Sequence, residues 1–433
     1  MGIGQPRFPL HLGGSGVEEM CPSRLVRKGR FRMSSNRAAG PARRLSRQAV
    51  WTLTLLTFAV SRLSIVPTVL DFRTDELLYA SWAQDIASGR FPISDESYQY
   101  PPGAGLYFLL LDVMPGGFHR FFTLSVLLGD VIILGLLLWH VHRRGSSWLG
   151  PWSWIVGGAL AGGLLYERFD VIPAVFAVMA LLVVSRPVTS GLLTGVGTAI
   201  KVWPVFMLFA VPRKNLARAS IGAVAALVVV AVAAALVAED SLSFLFGQTG
   251  RGLQIESSLA VPLMLAGQMG LLTVTSVDRY GSNELESPLA GVVSWIGIGI
   301  AVLLLLAILI QRLRGYLESL PPADVALAAL LVFWAFNRVN SSQFFIWVAA
   351  VAAVALLDRR SRMLVPIVLT FLSMLPIDEF LGPYFWALQG LTLEAVLLQT
   401  VRVVLIVFSA LIAWWLVVVS PARGSTASTE FVD

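Results

Sequence analysis

The part of this chain best equipped for chemistry runs from Asp71 to Gly105. It carries the carboxylates of Asp71, Asp75, Glu76, Asp85, Asp95 and Glu96, with Tyr79, Tyr98 and Tyr100 among them, and closes on Tyr100-Pro101-Pro102-Gly103. Carboxylates within hydrogen-bond reach of a substrate hydroxyl act as general bases, so a proton-transfer site is expected here. Asp75 also has a structural reading. Thr74 or Asp75 can cap a helix over TDELLYASWAQDIA, with Leu78 and Trp82 on its apolar side. The two readings are compatible, because a helix N-terminus supports a nearby anion.

Composition determines what must position these groups. The chain has 433 residues, of which 56% are hydrophobic and 13% charged, and its mean hydropathy is +0.76. Apolar runs long enough to cross a bilayer recur along it, which predicts an all-α polytopic membrane protein. Spans are expected near 51–70, 121–139, 152–166, 171–184, 221–237, 289–310, 325–336, 344–357, 364–376 and 396–419. Two shorter apolar pieces, 191–200 and 202–211, meet at Lys201 and Pro204 and predict a hairpin whose tip stops inside the outer leaflet. Counting that hairpin as two gives about twelve membrane segments. The chain divides into a basic, disordered cytoplasmic tail at 1–49, a transmembrane domain at 50–420 and a cytoplasmic C-terminal tail at 421–433. Residues 71–118 and 239–288 are the main extracytoplasmic loops.

Charge orients this arrangement. The segments assigned inside hold 22 Lys and Arg against 7 Asp and Glu, and those assigned outside hold 10 against 18, with Asp130 alone near mid-span. This asymmetry obeys the positive-inside rule, with both termini cytoplasmic. A polar site on the outer face has no access to cytoplasmic nucleotide sugars, so a group-transfer donor must itself reside in the membrane. The basic residues are spread among loops, which argues against a nucleic-acid partner. The single cysteine, Cys21, excludes an intrachain disulfide. His11, His119, His140 and His142 are too scattered for a metal cluster. The pairs Asp95-Glu96 and Asp378-Glu379 read as solvated loop charge rather than cation ligands. No metal or cofactor is implied.

In order along the chain, Asp75 four residues before Tyr79, then Gly89, Pro92 and Tyr100-Pro101-Pro102-Gly103, followed by Arg168-Phe169-Asp170 with Pro173, Lys201-Val202-Trp203-Pro204, Arg251 to Ser257 and Ser342-Gln343 ahead of Trp347, resemble the pattern of glycosyltransferase family 87. The resemblance spans about residues 50–420. It implies a GT-C-type transmembrane bundle, a polyprenyl-phosphate sugar as donor, most often of mannose or arabinofuranose, and an aspartate base in the first outer loop. The acceptor would be a glycolipid or polysaccharide, as in cell-wall biosynthesis, with membrane lipids as the surroundings.

On that resemblance Asp75 is the base and Asp71 the runner-up. Direct displacement with inversion needs one carboxylate and positive charge on the departing phosphate. Lys201 is the first choice for that phosphate, followed by Arg168 and Arg251; the bland alternatives are a Lys201 pair with Glu167 or Asp170 and an Arg168–Asp170 pair closing a helix turn. Tyr79, Tyr98, Tyr100, Asp170, Glu256, Arg338 and Gln343 are candidates for sugar or acceptor contacts. Trp82 and Tyr107 read as an interfacial belt, and Trp203, Trp347, Trp386, Trp414 and Trp415 as belt or packing residues. The rival class is a transporter or flippase of lipid-linked sugars, since interrupted segments also build midplane transport sites. Against it, the two halves show no internal repeat.

Overall fold

The computed structural model of the protein describes residues 46–69, 74–247, 250–375 and 382–420. The architecture below is that of the described residues within Gln48–Asp433. Asp71, the Asp378-Glu379 pair, Cys21, His11 and nearly all of both expected tails lie outside the described residues.

The helices follow in chain order: α1 (Arg47–Val69), α2 (Thr74–Ala87), α3 (Pro102–Asp112), α4 (Phe118–Arg144), α5 (Leu149–Ala161), α6 (Leu164–Glu167), α7 (Val171–Leu182), α8 (Pro187–Ile200) and a 3-10 helix (Trp203–Ala210). They continue with α9 (Arg213–Val237), α10 (Phe244–Gly247), α11 (Val261–Gln268), α12 (Ala290–Arg314), α13 (Pro322–Phe336), α14 (Phe344–Ala355), α15 (Leu364–Leu372), α16 (Gly382–Gln389) and α17 (Leu393–Val418). Among the described residues, helices α1, α4, α9, α12 and α17 are long and apolar enough to cross a membrane. Helix α12 shows why. Its 25 residues at about 1.5 Å each exceed the bilayer core of about 30 Å. It ends where Arg312 and Arg314 complete the last turn and Gly315 adopts φ 82°.

The shorter apolar helices α13 and α14 are almost wholly buried. They form the centre of the bundle, where neighbouring helices rather than lipid cover their all-round apolar surface. Small residues bring other helices close: a side chain at Gly191 or Gly195 of α8 would run into the backbone of α9 at Ala219 or Ala223.

One charge assignment is corrected in the core. Asp130 is not alone: Arg62 of α1 reaches it with Nε–Oδ2 at 2.8 Å and Nη2–Oδ1 at 3.2 Å. Trp154 Nε1 and the Tyr166 hydroxyl also donate to this carboxylate, each at 2.7 Å, and Arg62 Nη1 donates to the Ile155 carbonyl at 3.0 Å. Gly158 of α5 leaves the room the guanidinium occupies. Both charges are thus paired and hydrogen-bonded, the condition under which an ion pair persists in a low-dielectric core.

The expected hairpin break is present. Helix α8 stops at Ile200, Lys201 is extended at φ −147° and ψ 136°, and the chain resumes as the 3-10 helix with Pro204 in its first turn. The segment at 239–288 departs from the all-α expectation. It holds a small antiparallel sheet of β1 (Leu253–Gln254), β2 (Thr275–Arg279) and β3 (Ser282–Glu286) in the order β1-β3-β2. Arg279 pairs with Ser282 across a two-residue turn, where Tyr280 and Gly281 both have positive φ.

Candidate active site

Four segments far apart in sequence converge on one end of the bundle. The first is the start of α2, whose opening turn carries Asp75 and Glu76. Behind it, Tyr79 packs parallel to Phe108 at 4.9 Å and edge-on to Phe169 at 5.3 Å. Trp82 is buried beside it and donates its indole N–H to Asp95 at 2.7 Å, so it is a core residue and not part of an interfacial belt. Asp95 also accepts from the Ser97 backbone at 2.9 Å. It therefore pins the loop as a local turn instead of standing as solvated charge. Tyr107 bonds Ser125 through its hydroxyl at 2.6 Å.

The Tyr-Pro-Pro-Gly turn locks this layer onto the broken hairpin. Pro102 occupies the first turn of α3, where its missing N–H costs nothing. A Cβ on Gly103 would lie 2.5 Å from the Ala199 carbonyl oxygen, so only glycine lets α3 approach the end of α8 this closely.

The second segment is Arg168-Phe169-Asp170, where the expected Arg168–Asp170 pair is replaced by two others. Arg168 Nη2 stands 2.6 Å from Asp75 Oδ2. Lys201 Nζ, from the third segment at the hairpin break, contacts both oxygens of Asp170 at 2.6 Å. Trp347 Nε1 also donates to Asp170. Lys201 sits over the Phe169 ring at 4.5 Å and the Tyr100 ring at 5.4 Å. The exchange has a geometric cause: Arg168 and Asp170 flank Phe169, and Asp170 turns inward at the start of α7 while Arg168 remains extended.

The fourth segment is a seam between two loops. Gln254 N donates to the Arg338 carbonyl at 3.0 Å, Asn340 N to Gln254 Oε1 at 2.7 Å, and Ser257 Oγ to the Asn337 carbonyl at 2.8 Å. Glu256 belongs to the same seam, with Oε1 accepting from Ser342 Oγ at 2.6 Å and Oε2 from Gln254 Nε2 at 3.0 Å. The loop after α2 is tied in separately, since Phe91 N donates to the Glu239 carbonyl at 3.0 Å and Glu239 N to the Gly89 carbonyl at 2.9 Å.

Together these segments enclose a cavity of about 950 Å³. Of the residues singled out from sequence, Asp75, Tyr79, Tyr100, Arg168, Lys201, Arg251, Glu256, Arg338 and Gln343 line it. Two do not. Asp170 is fully buried beneath Lys201, and Tyr98 is buried among Trp82, Phe91 and Tyr100. Tyr79 borders the cavity but is 1% exposed, so it supports the wall rather than offering a face to a sugar. Trp203 and Trp347, expected as belt or packing residues, stack at 5.3 Å and line the cavity, as does the exposed Trp386. Sequence position alone also passed over Glu76 and Glu167 as cavity residues, although both adjoin residues that had been chosen.

The carboxylates differ in their commitments. Glu256 is buried with both oxygens engaged. Glu76 is largely buried, with Oε1 2.9 Å from His119 Nδ1. Burial raises the Glu167 carboxyl above the usual range, against the opposing pull of Arg168. Asp75 keeps 26% of its side chain exposed, and Arg168 meets its Oδ2. On the opposite wall, burial lowers the affinity of Arg251 for its proton, with Glu284 opposing the shift. Its Nη2 donates to Ser282 Oγ at 3.0 Å. The burial of Tyr100 pushes its hydroxyl up to about 12, so it remains a neutral hydrogen-bonding group. Among the described residues no group of three or more His, Cys, Asp or Glu side chains is placed to hold a metal ion.

Charged and aromatic groups thus line a cavity in a bundle whose described residues include helices long and apolar enough to cross a membrane. The sequence model of glycosyltransferase family 87 matches residues 98–279. That match, over less than half of the chain, supports its membership in this family of glycosyltransferases. It includes Arg168, Lys201 and Arg251, whereas Asp75 precedes it and Arg338 and Gln343 follow it. No curated protein matches the chain.

Proposed function

We propose that the protein transfers a sugar, with mannose the first candidate, from a polyprenyl-phosphate donor to a glycolipid or polysaccharide acceptor on the extracytoplasmic face of the membrane. The observation that carries this reading is the placement of Asp75 and Arg251 on the walls of one cavity whose lining also includes the apolar Leu127, Val202 and Phe344. A lipid-borne sugar phosphate presents these three chemistries together: a sugar, a phosphate and an isoprenoid chain.

In the proposed step the acceptor hydroxyl oxygen attacks the anomeric carbon while the bond from that carbon to the phosphate oxygen breaks. The hydroxyl proton passes to Asp75, and the polyprenyl phosphate leaves with the electron pair. Inversion follows from a single displacement. Arg168 engages Oδ2 of Asp75 and thereby fixes the carboxylate that meets the acceptor. Arg251 meets the phosphate, where charge develops in the transition state. Lys201 contributes field rather than a free ammonium, since Asp170 neutralises it.

The test is donor competence. Purified protein is given radiolabelled polyprenyl-phosphate mannose, polyprenyl-phosphate arabinofuranose or GDP-mannose with a membrane lipid extract. Transfer from a polyprenyl-phosphate sugar and none from the nucleotide sugar is the expected result. Transfer from GDP-mannose alone would overturn the reading.

A further inference from the structure

Arg251 and Arg338 line not one cavity but two. Behind them lies a second space of about 690 Å³, between the small sheet and the first turns of α12. Its lining combines apolar surface with hydroxyl, carboxylate and guanidinium groups. Arg279 Nη1 and Glu286 Oε1 pair at 3.1 Å with about half of each side chain exposed. Ser294 and Trp295 border the same space, and the Trp295 indole is 71% exposed. The displacement described above uses none of these groups.

An open indole face beside hydroxyl, carboxylate and guanidinium groups suits a pyranose or furanose ring. The ring's C–H face packs on the aromatic surface, and its hydroxyls find donors and acceptors at the edge. We infer that this second cavity holds the non-reacting units of an oligosaccharide acceptor, with Trp295 as the stacking platform and Arg279 and Glu286 as hydroxyl partners. The inference rests on the glycosyl-transfer reading above. An acceptor with its reacting hydroxyl at Asp75 then passes the Arg251–Arg338 wall, and its remaining sugars occupy the space behind. The site favours an acceptor of several units over a single sugar. A tryptophan that serves only as a membrane-interface anchor would be indifferent to acceptor length.

The test has a binding arm and a turnover arm. Octyl mannotrioside and octyl arabinotrioside, each carrying a photoreactive diazirine, are cross-linked to the purified full-length protein without donor, and the adducts are mapped by mass spectrometry. Labelling by either glycoside within residues 273–295, weakened about tenfold in Trp295→Ala and kept in Trp295→Phe, is expected. Absence of label there with both probes, or equal label in Trp295→Ala, would overturn the inference. In turnover with polyprenyl-phosphate mannose, Trp295→Ala should raise KM for the trioside and leave KM for octyl mannoside unchanged. An equal rise for both acceptors would also overturn it. Labelling without transfer to any acceptor would support the groove and count against the proposed donor.

Discussion

Asp75 and Arg168, ninety-three positions apart in sequence, face each other at 2.6 Å on the wall of the cavity. The pair joins the first turn of α2 to the extended residue that follows α6, so this contact ties the proposed base to the bundle. If Arg168 acts through Asp75, their losses should not add. Arg168→Gln is expected to lower kcat. The double variant Asp75→Asn/Arg168→Gln should be no slower than Asp75→Asn alone. Initial rates of the wild type, both singles and the double decide this. A multiplicative loss would show that Arg168 has its own contact with substrate.

Lys201 and Asp170 are a buried pair, and a single replacement strands the other charge. Lys201→Met is expected to destabilise the protein by about 3–5 kcal/mol. Lys201→Met/Asp170→Leu should regain much of that loss. Thermal unfolding in detergent reads both. If the double variant is no more stable than the single, the pair is not what holds the hairpin break.

The Arg62–Asp130 pair meets the cavity lining through Tyr166, whose hydroxyl donates to Asp130, and not through Asp75, Arg168 or Arg251. Asp130→Asn should cost about 3–5 kcal/mol of stability while the protein that remains folded keeps its kcat. Loss of turnover in fully folded Asp130→Asn protein would assign this core pair a role in the reaction.

Gly103 gives a steric prediction. Gly103→Ala places a methyl group 2.5 Å from the Ala199 carbonyl oxygen. Backbone cannot yield as a flexible side chain does, so a loss of about 1–3 kcal/mol is expected. Because α3 and α8 together carry Tyr100 and Lys201 to the cavity, activity should fall with it. An unchanged melting temperature would mean that the two helices part freely.

Much of this arrangement was legible in the chain. Apolar runs marked the long helices, although α9 starts at Arg213, well before the expected 221, and α4 runs on to Arg144, past the expected 139. Two short runs meeting at Lys201 and Pro204 revealed the broken hairpin. Lys201–Asp170 was one of the pairings the sequence offered, and it is found. Other pairings between distant positions remained hidden, such as Arg62 with Asp130, because a position in an apolar run says nothing of which helix it faces. Arg168 and Asp170 looked like partners because they are two residues apart, whereas the turn into α7 sends their side chains to different neighbours. Tyr280-Gly281 was a usable hairpin signal for β2 and β3, overshadowed by the apolar runs on either side. Trp82 has the composition of a belt residue and the burial of a core one. Only the fold, which brings Asp95 to its N–H, separates the two.

The central claim is that Asp75 takes the acceptor proton during transfer from a polyprenyl-phosphate sugar. Its most direct test is the rate of sugar transfer from radiolabelled polyprenyl-phosphate mannose to a membrane lipid extract, by purified wild type and Asp75→Asn in parallel, with matched melting curves. The account predicts product with the wild type and a loss of about 10²–10⁴-fold in the variant. Transfer by folded Asp75→Asn at a rate near that of the wild type would contradict it.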